Sequence, residues 1–178
     1  MPGNLSQTRF EYFGDDGRFP NSKLPVLIYR AAIAPADSTP EAMEILFDGN
    51  GWPSQWWAGV YDYHHYHSTA HECLGIATGS ARLRLGGPGG RAFDVSAGDV
   101  LVLPAGTAHQ RLSNSSDFLV VGAYPPGQSF DLLRGEPGER PAADERIAQV
   151  KLPTTDPVGG QGGALLEHWH QGLRSKVS

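Results

Sequence analysis

The chain contains histidines whose spacing suits metal binding. His65 and His67 are two residues apart, so on a strand their imidazoles point to the same face and can bind one ion together. Glu72 offers an anionic oxygen nearby, and His109 follows a turn that could return the chain to the same place. These four side chains could therefore hold one divalent metal ion.

A succession of short strands is predicted to position these residues. The predicted strands between residues 57 and 124 are Val60 to Tyr66, Glu72 to Thr78, Ala81 to Leu85, Ala92 to Val95, Val100 to Leu103 and Phe118 to Tyr124. Glycine- and proline-rich turns separate them. Many short strands with regular turns are typical of a sandwich or jelly-roll barrel.

Fewer elements are predicted on either side of this region. Lys23 to Ile33 has the composition of a strand, Ser38 to Glu41 starts a helix that ends near Gly49, and Ala142 to Val150 is the one helical candidate towards the C-terminus. We expect one domain over residues 1–178. Its parts are an N-terminal arm, strand and helix (1–56), a metal-binding barrel core (57–124) and a C-terminal wrapping segment (125–178), anchored by Leu152, Leu165, Leu166 and Trp169.

Composition excludes several classes of function. The formal net charge is −5 and Lys and Arg are scattered, which argues against nucleic acid as a partner. Cys73 is the only cysteine, so no intrachain disulfide forms, and no segment has the apolar length of a signal peptide or a membrane helix. We expect a cytoplasmic protein with no membrane partner. The aromatic residues from Phe10 to Phe13 and the proline-rich tail favour a homodimer.

Two stretches of the sequence resemble the two motifs of the cupin family. The first is glycine, five residues, His-x-His, four residues, Glu, six residues and glycine, which runs from Gly59 to Gly79. The second runs from Gly98 through Pro104 and Gly106 to His109. One departure is Ser113, where the family has an asparagine that this chain carries one residue later. The flanking stretches and Gly-Ala-Tyr-Pro at 122–125 also resemble the small, poorly characterised YjlB-like bacterial cupins.

The cupin resemblance implies an all-β fold, a double-stranded β-helix or jelly-roll barrel with one or two short helices outside it. It implies one divalent metal ion per chain, Fe, Mn, Ni or Zn, bound by two His and the Glu of the first motif and the His of the second. In this sequence those ligands are His65, His67, Glu72 and His109.

Other polar and aromatic residues near the motif are assigned different roles. His71 would share the face of His67 on a straight strand, but residues 68–70 favour a bend and the family pattern favours Glu72. We therefore interpret His71 as a pocket residue or as one that supports the ligands, and His64 as structural. Tyr63 and Tyr66 are candidates for the pocket wall, although core packing is the commoner fate of such residues.

The residues leave the type of function open. Three imidazoles and one carboxylate leave coordination positions for a substrate, water or O₂, which suits a dioxygenase-like oxidoreductase acting on a small metabolite. The same ligands would serve an isomerase or a lyase, or a cupin that binds a small molecule without turnover, because a fold alone does not decide function.

Overall fold

The computed structural model describes residues 8–174. Within this range there are nine strands, three α-helices and one short 3-10 helix at Pro35–Asp37. The strands are β1 (Thr8–Phe13), β2 (Ser22–Tyr29), β3 (Ser54–Ala58), β4 (Glu72–Thr78), β5 (Ser80–Leu85), β6 (Arg91–Ser96), β7 (Val100–Leu103), β8 (His109–Asn114) and β9 (Leu119–Ala123). The helices are α1 (Pro40–Gly49), α2 (Ala142–Gln149) and α3 (Ala164–Arg174).

The strands form two antiparallel sheets that pack face to face. The larger sheet has the order β1-β2-β7-β4-β9-β3, and the smaller one has the order β6-β5-β8. Neighbours in the larger sheet are mostly far apart in sequence, as β4 lies between β7 and β9. This arrangement confirms the predicted all-β fold of the cupin type, with few short helices outside the sheets.

The alternation of side chains along the strands separates two apolar cores. Leu74 and Ile76 of β4 point between the sheets, where they pack with Leu83 and Phe93 of the smaller sheet. Cys73 and its alternate neighbours point to the outer face of the larger sheet. That outer core is completed by Met43 and Phe47 of α1 and by Leu165 and Trp169 of α3.

Helix α1 begins as the sequence predicts. The Thr39 side chain accepts a hydrogen bond from the Ala42 N–H at 3.0 Å, and Pro40 occupies the first turn, where its missing N–H is harmless. Within the described residues, no helix is both long enough and apolar enough to cross a membrane.

The C-terminal segment returns to the outer face of the larger sheet through Asp156. This fully buried carboxylate accepts hydrogen bonds from the Tyr29 hydroxyl of β2 and from the backbone N–H groups of Val158, Gly159 and Leu165. Trp169 of α3 is also buried, and its indole donates to the carbonyl of Pro25 at 2.9 Å. The four anchors expected from the sequence, Leu152, Leu165, Leu166 and Trp169, all pack in this outer core.

The predicted strand Val60 to Tyr66 is wrong. Residues 60–66 are irregular, with a bend at 62–63, and their strand pairing is limited to isolated bridges from His65 to His109 and from Tyr66 to Leu133. Aromatic and histidine side chains gave this segment the composition of a strand. In the structure, however, Val60 packs in the core between the sheets, His65 lies in the histidine cluster, and Tyr66 packs in a separate small core with Phe19. Three strands and one helix were also missed, namely β1, β3, β8 and α3.

Replacement of Asp156 by Ala should destabilise the fold strongly. It removes the acceptor of four hydrogen bonds and leaves buried donors unpaired, so we expect the free energy of unfolding to fall by about 3 kcal/mol in urea titrations. Asp94→Ala is the matched control, since its carboxylate is 79% exposed and pairs only with the exposed Arg82, and it should change stability by less than about 0.5 kcal/mol. Equal effects of the two substitutions would contradict the anchoring role.

Candidate metal centre

Three buried histidines converge between the two sheets. One ring nitrogen of each of His65, His67 and His109 lies within 4.8 Å of those of the other two. His109 is the first residue of β8, and its backbone exchanges two hydrogen bonds with that of His65, at 2.9 and 3.1 Å. The carbonyl of His67 accepts from the N–H of Gly106, so the turn of the second motif is fixed against the first.

Each of these imidazoles is oriented by a backbone carbonyl. The Nδ1 atoms lie 3.0, 2.5 and 3.0 Å from the carbonyl oxygens of Tyr63, Asp131 and Thr107 for His65, His67 and His109, respectively. A carbonyl only accepts, so Nδ1 carries a proton and Nε2 is the ring nitrogen left for a metal ion. Histidines that bind metals in proteins are oriented in this way.

Glu72 lies among the histidine Nε2 atoms. It is the first residue of β4 and points inward, in phase with Leu74. Its Oε2 lies 3.1 Å from His67 Nε2, and its Oε1 lies 3.0 Å from His109 Nε2. Neither contact is aligned as a hydrogen bond, and Oε1 is buried without a hydrogen-bond partner among the described residues.

A tyrosine and a tryptophan hold the other oxygen of this carboxylate. The Tyr124 hydroxyl donates to Glu72 Oε2 at 2.6 Å, and the Trp56 indole donates to the Tyr124 oxygen at 2.9 Å. Burial raises the pKa of Tyr124, and the neighbouring negative charge of Glu72 raises it further. Tyr124 is therefore a neutral donor.

The buried groups of the site have pKa values that are shifted in different directions. Burial alone would raise the pKa of Glu72, but His67 and His109 outweigh burial and hold that pKa well below its usual range. Burial, together with the neighbouring His109, lowers the pKa of His65 to about 3. Burial also opposes the charge on His67, but Glu72 and then Asp131 raise the pKa of His67 above its ordinary value. A carboxylate therefore persists inside the barrel.

These observations fit a metal ion. Three imidazoles, each with Nδ1 held by a backbone carbonyl, bring a ring nitrogen to one point, and a buried carboxylate oxygen there has no hydrogen bond. Nitrogen and carboxylate donors suit first-row divalent ions. His65, His67 and His109 are thus positioned to bind a metal ion.

His71 lies apart from this cluster. Its side chain has the same phase as Cys73 and its ring packs against Trp169, with centroids 4.8 Å apart, on the outer face of the larger sheet. Nδ1 accepts from the Ala105 N–H at 2.9 Å, and burial lowers the pKa of His71 to about 4. The bend expected over residues 68–70 is present and directs Glu72, rather than His71, inward.

The two tyrosines singled out from the sequence do not line the cavity beside the histidines. Tyr66 is fully buried against Phe19 and donates to Glu139 at 3.0 Å. Tyr63 stacks on Tyr61 and borders His65 edge-on. His64 is half-buried and packs near Phe19, in agreement with its structural interpretation.

A cavity of about 520 Å³ opens beside the histidines and Glu72. Its volume lies in the usual range of small-molecule sites. Sequence reasoning missed Arg111, Tyr124 and Phe130 as parts of its wall. The full lining is Trp56, Ala58, Gly59, Val60, Tyr61, Asp62, His65, His67, Glu72, Leu74, His109, Arg111, Tyr124 and Phe130.

Part of the missed lining carries a sequence signal. Tyr124 follows β9 in phase with Val120, which points between the sheets, so alternation could have placed it inward. Phe130 lies in an irregular segment whose position depends on the contacts of Asp131 with Ser68, and no periodicity indicates that.

Comparison with solved structures gives weak likenesses. A DUF861-family protein from Thermotoga maritima is 22% identical, with a TM-score of 0.31, over 47% of this chain and 89% of its own. A variant of oxalate decarboxylase from Bacillus subtilis is 19% identical, with a TM-score of 0.35, over 65% of this chain and 29% of its own.

Sequence comparison is more specific. The profile of the Cupin family matches residues 63–127, which include the three histidines and Glu72. The uncharacterized protein YjlB of Bacillus subtilis (strain 168) is 40% identical over 164 residues, which are 92% of this chain and 97% of the relative. The family profile and this identity along nearly all of both chains together show that the protein belongs to the cupin family and is related to YjlB.

Proposed function

We propose that the protein is a metal-dependent oxidoreductase of the dioxygenase type that acts on a small metabolite. One divalent ion would be held by His65, His67, Glu72 and His109. The observation that carries the proposal is the buried Glu72 carboxylate among three oriented imidazoles, at the wall of a cavity.

The spacing of the donor atoms supports this ligand set. Atoms that bind one ion at about 2.1 Å in adjacent positions lie about 3 Å from each other. The oxygens of Glu72 lie 3.1 Å from His67 Nε2 and 3.0 Å from His109 Nε2. The carboxylate would also offset part of the charge of a divalent ion in a buried place.

The donor set favours redox chemistry. Histidine and carboxylate ligands that leave coordination positions open are typical of non-haem Fe(II) oxygenases, and such an ion supplies the electrons for reaction with O₂. The residues of the chain provide the surroundings. Tyr124 holds the carboxylate of Glu72, while Leu74 and Trp56 add apolar surface to the cavity beside it, which would limit the access of water to a reacting group.

The metal content of the purified protein is the first test. We expect about one metal ion per chain by elemental analysis, lost when His65 and His67 are both replaced by Ala, because two of four ligands disappear. His64→Ala, which removes a neighbouring histidine outside the cluster, should keep the metal. Unchanged metal content in the folded double variant, checked by circular dichroism, would overturn the site.

Substitutions of the adjacent residues Glu72 and His71 test which of the two binds the metal. Glu72→Ala should lower metal affinity at least about tenfold, measured by competition with a chromogenic chelator, since it removes a charged donor. His71→Ala should leave affinity nearly unchanged and lower only stability, because His71 packs against Trp169 on the outer face. Equal or reversed losses of affinity would make His71 the ligand.

Oxygen uptake tests the reaction type. Protein reconstituted with Fe(II) should consume O₂ with one member of a panel of small polar and aromatic metabolites, followed with an oxygen electrode, and the His65→Ala/His67→Ala variant should not. Anaerobic turnover with Mn, Ni or Zn would replace this proposal with an isomerase or lyase. Binding with no turnover under either condition would indicate a non-catalytic binding protein.

A further inference from the structure

An arginine on the wall of the cavity has no acidic partner. Arg111 of β8 is in register with Leu83 of β5, whose side chain points between the sheets, so both face the interior. It is two residues from His109 on the same strand, which separates their Cα atoms by about 7 Å along one wall. The guanidinium therefore lies on the same side of the cavity as the histidines.

The contacts of Arg111 orient it without neutralising its charge. Nε donates to the carbonyl of Val60 at 2.9 Å and Nη1 donates to Asn114 Oδ1 at 2.5 Å. Among residues 8–174, no carboxylate lies within ion-pair distance of it, and its Nη2 has no hydrogen-bond partner. Three other partly covered arginines, Arg30, Arg140 and Arg146, each lie within ion-pair distance of a carboxylate, whereas Arg84 contacts only the carbonyl of Pro88.

The remaining charges of the cavity do not satisfy this arginine. Glu72 is engaged with His67 and Tyr124, and Asp62 lies at the exposed edge of the cavity without an ion pair. A guanidinium held by two neutral acceptors, with one face free in a partly apolar cavity, is suited to a carboxylate because its planar donors match the two oxygens.

The rest of the cavity wall is aromatic and apolar. Trp56 and Leu74 line its inner part, and the rings of Tyr61 and Phe130 line it while remaining 52% and 45% exposed. Such side chains favour an apolar or aromatic body over a sugar or a phosphate ester.

We propose that the substrate is a small aromatic or apolar carboxylic acid, whose carboxylate binds Arg111 while its body lies between Trp56, Tyr61 and Phe130. This inference rests on the proposed function, because it gives the substrate class of the same site. The group to be transformed would lie towards the histidines, at the other end of the wall formed by β8.

Benzoate and its neutral analogue benzamide are the probes. Each is titrated by calorimetry into protein loaded with Zn(II), which is redox-inert, and into protein treated with a chelator. We expect benzoate to bind more tightly than benzamide in both forms. Arg111→Gln should lower benzoate affinity about tenfold or more and leave benzamide unchanged, since a charge-assisted hydrogen bond is lost.

Arg84→Gln is the matched control. Arg84 lies on the neighbouring strand β5, in register with Gln110, so it faces away from the cavity while carrying the same charge. It should leave benzoate affinity unchanged. Arg111→Lys keeps the charge without the planar fork and should give an intermediate affinity, which serves if Arg111→Gln fails to fold by circular dichroism.

The titrations with and without Zn(II) test the role of Arg111 separately from the proposed metal-dependent function. Benzoate affinity that is unchanged in Arg111→Gln, or equal benzoate and benzamide affinities in the chelator-treated protein, would overturn the role of Arg111 while leaving the metal site intact. Absence of bound Zn(II) would overturn the proposed function, and the chelator-treated titrations would still decide whether Arg111 binds a carboxylate.

Discussion

The burial of the Glu72 carboxylate is the constraint on which the site depends. Its side chain is 4% exposed and remains ionised inside an apolar barrel, where an unpaired charge would be costly. The compensation comes from His67 and His109 on one side and from Tyr124 on the other. These partners lie on three separate segments, so the charge is accommodated only when the larger sheet, β8 and the histidine segment have assembled around it.

Strand phase decides which residues take part. Glu72 begins β4 in phase with Leu74 and Ile76, which point between the sheets, whereas His71 is in phase with Cys73 on the outer face. If the register of β4 shifted by one residue, His71 would take the place of Glu72 in the site, and the side chains that now point between the sheets would point to the outer face. The apolar packing of Leu74 and Ile76 therefore determines that Glu72, rather than His71, faces the cavity.

The sequence could predict the residues that obey a strong local pattern. Strands β4 to β7 are short apolar or alternating runs bounded by turns, and helix α1 has a clear N-terminal cap. The spacing of His65 and His67, together with the resemblance to the two cupin motifs, indicated a common site with Glu72 and His109. The irregular path of residues 60–66 could not be predicted, because the tertiary bridges of His65 and Tyr66 determine it. Strand β8 has polar residues on both faces, so its sequence does not alternate. Helix α3 directly follows a glycine-rich stretch and was therefore included in the irregular tail. Arg111 was missed with β8, since its direction follows only from the register with Leu83.

A glycine links the wall of the cavity to the carboxylate. Gly122 of β9 is the cross-strand partner of Trp56, and a Cβ at that position would overlap the indole ring. Its hydrogen therefore lets the indole lie flat over β9, where its N–H reaches Tyr124, two residues further along the same face. Tyr124 in turn holds Glu72. A ligand packed against Trp56 would therefore contact the first member of a hydrogen-bonded chain, from Trp56 through Tyr124 to Glu72, that orients the carboxylate among the histidines.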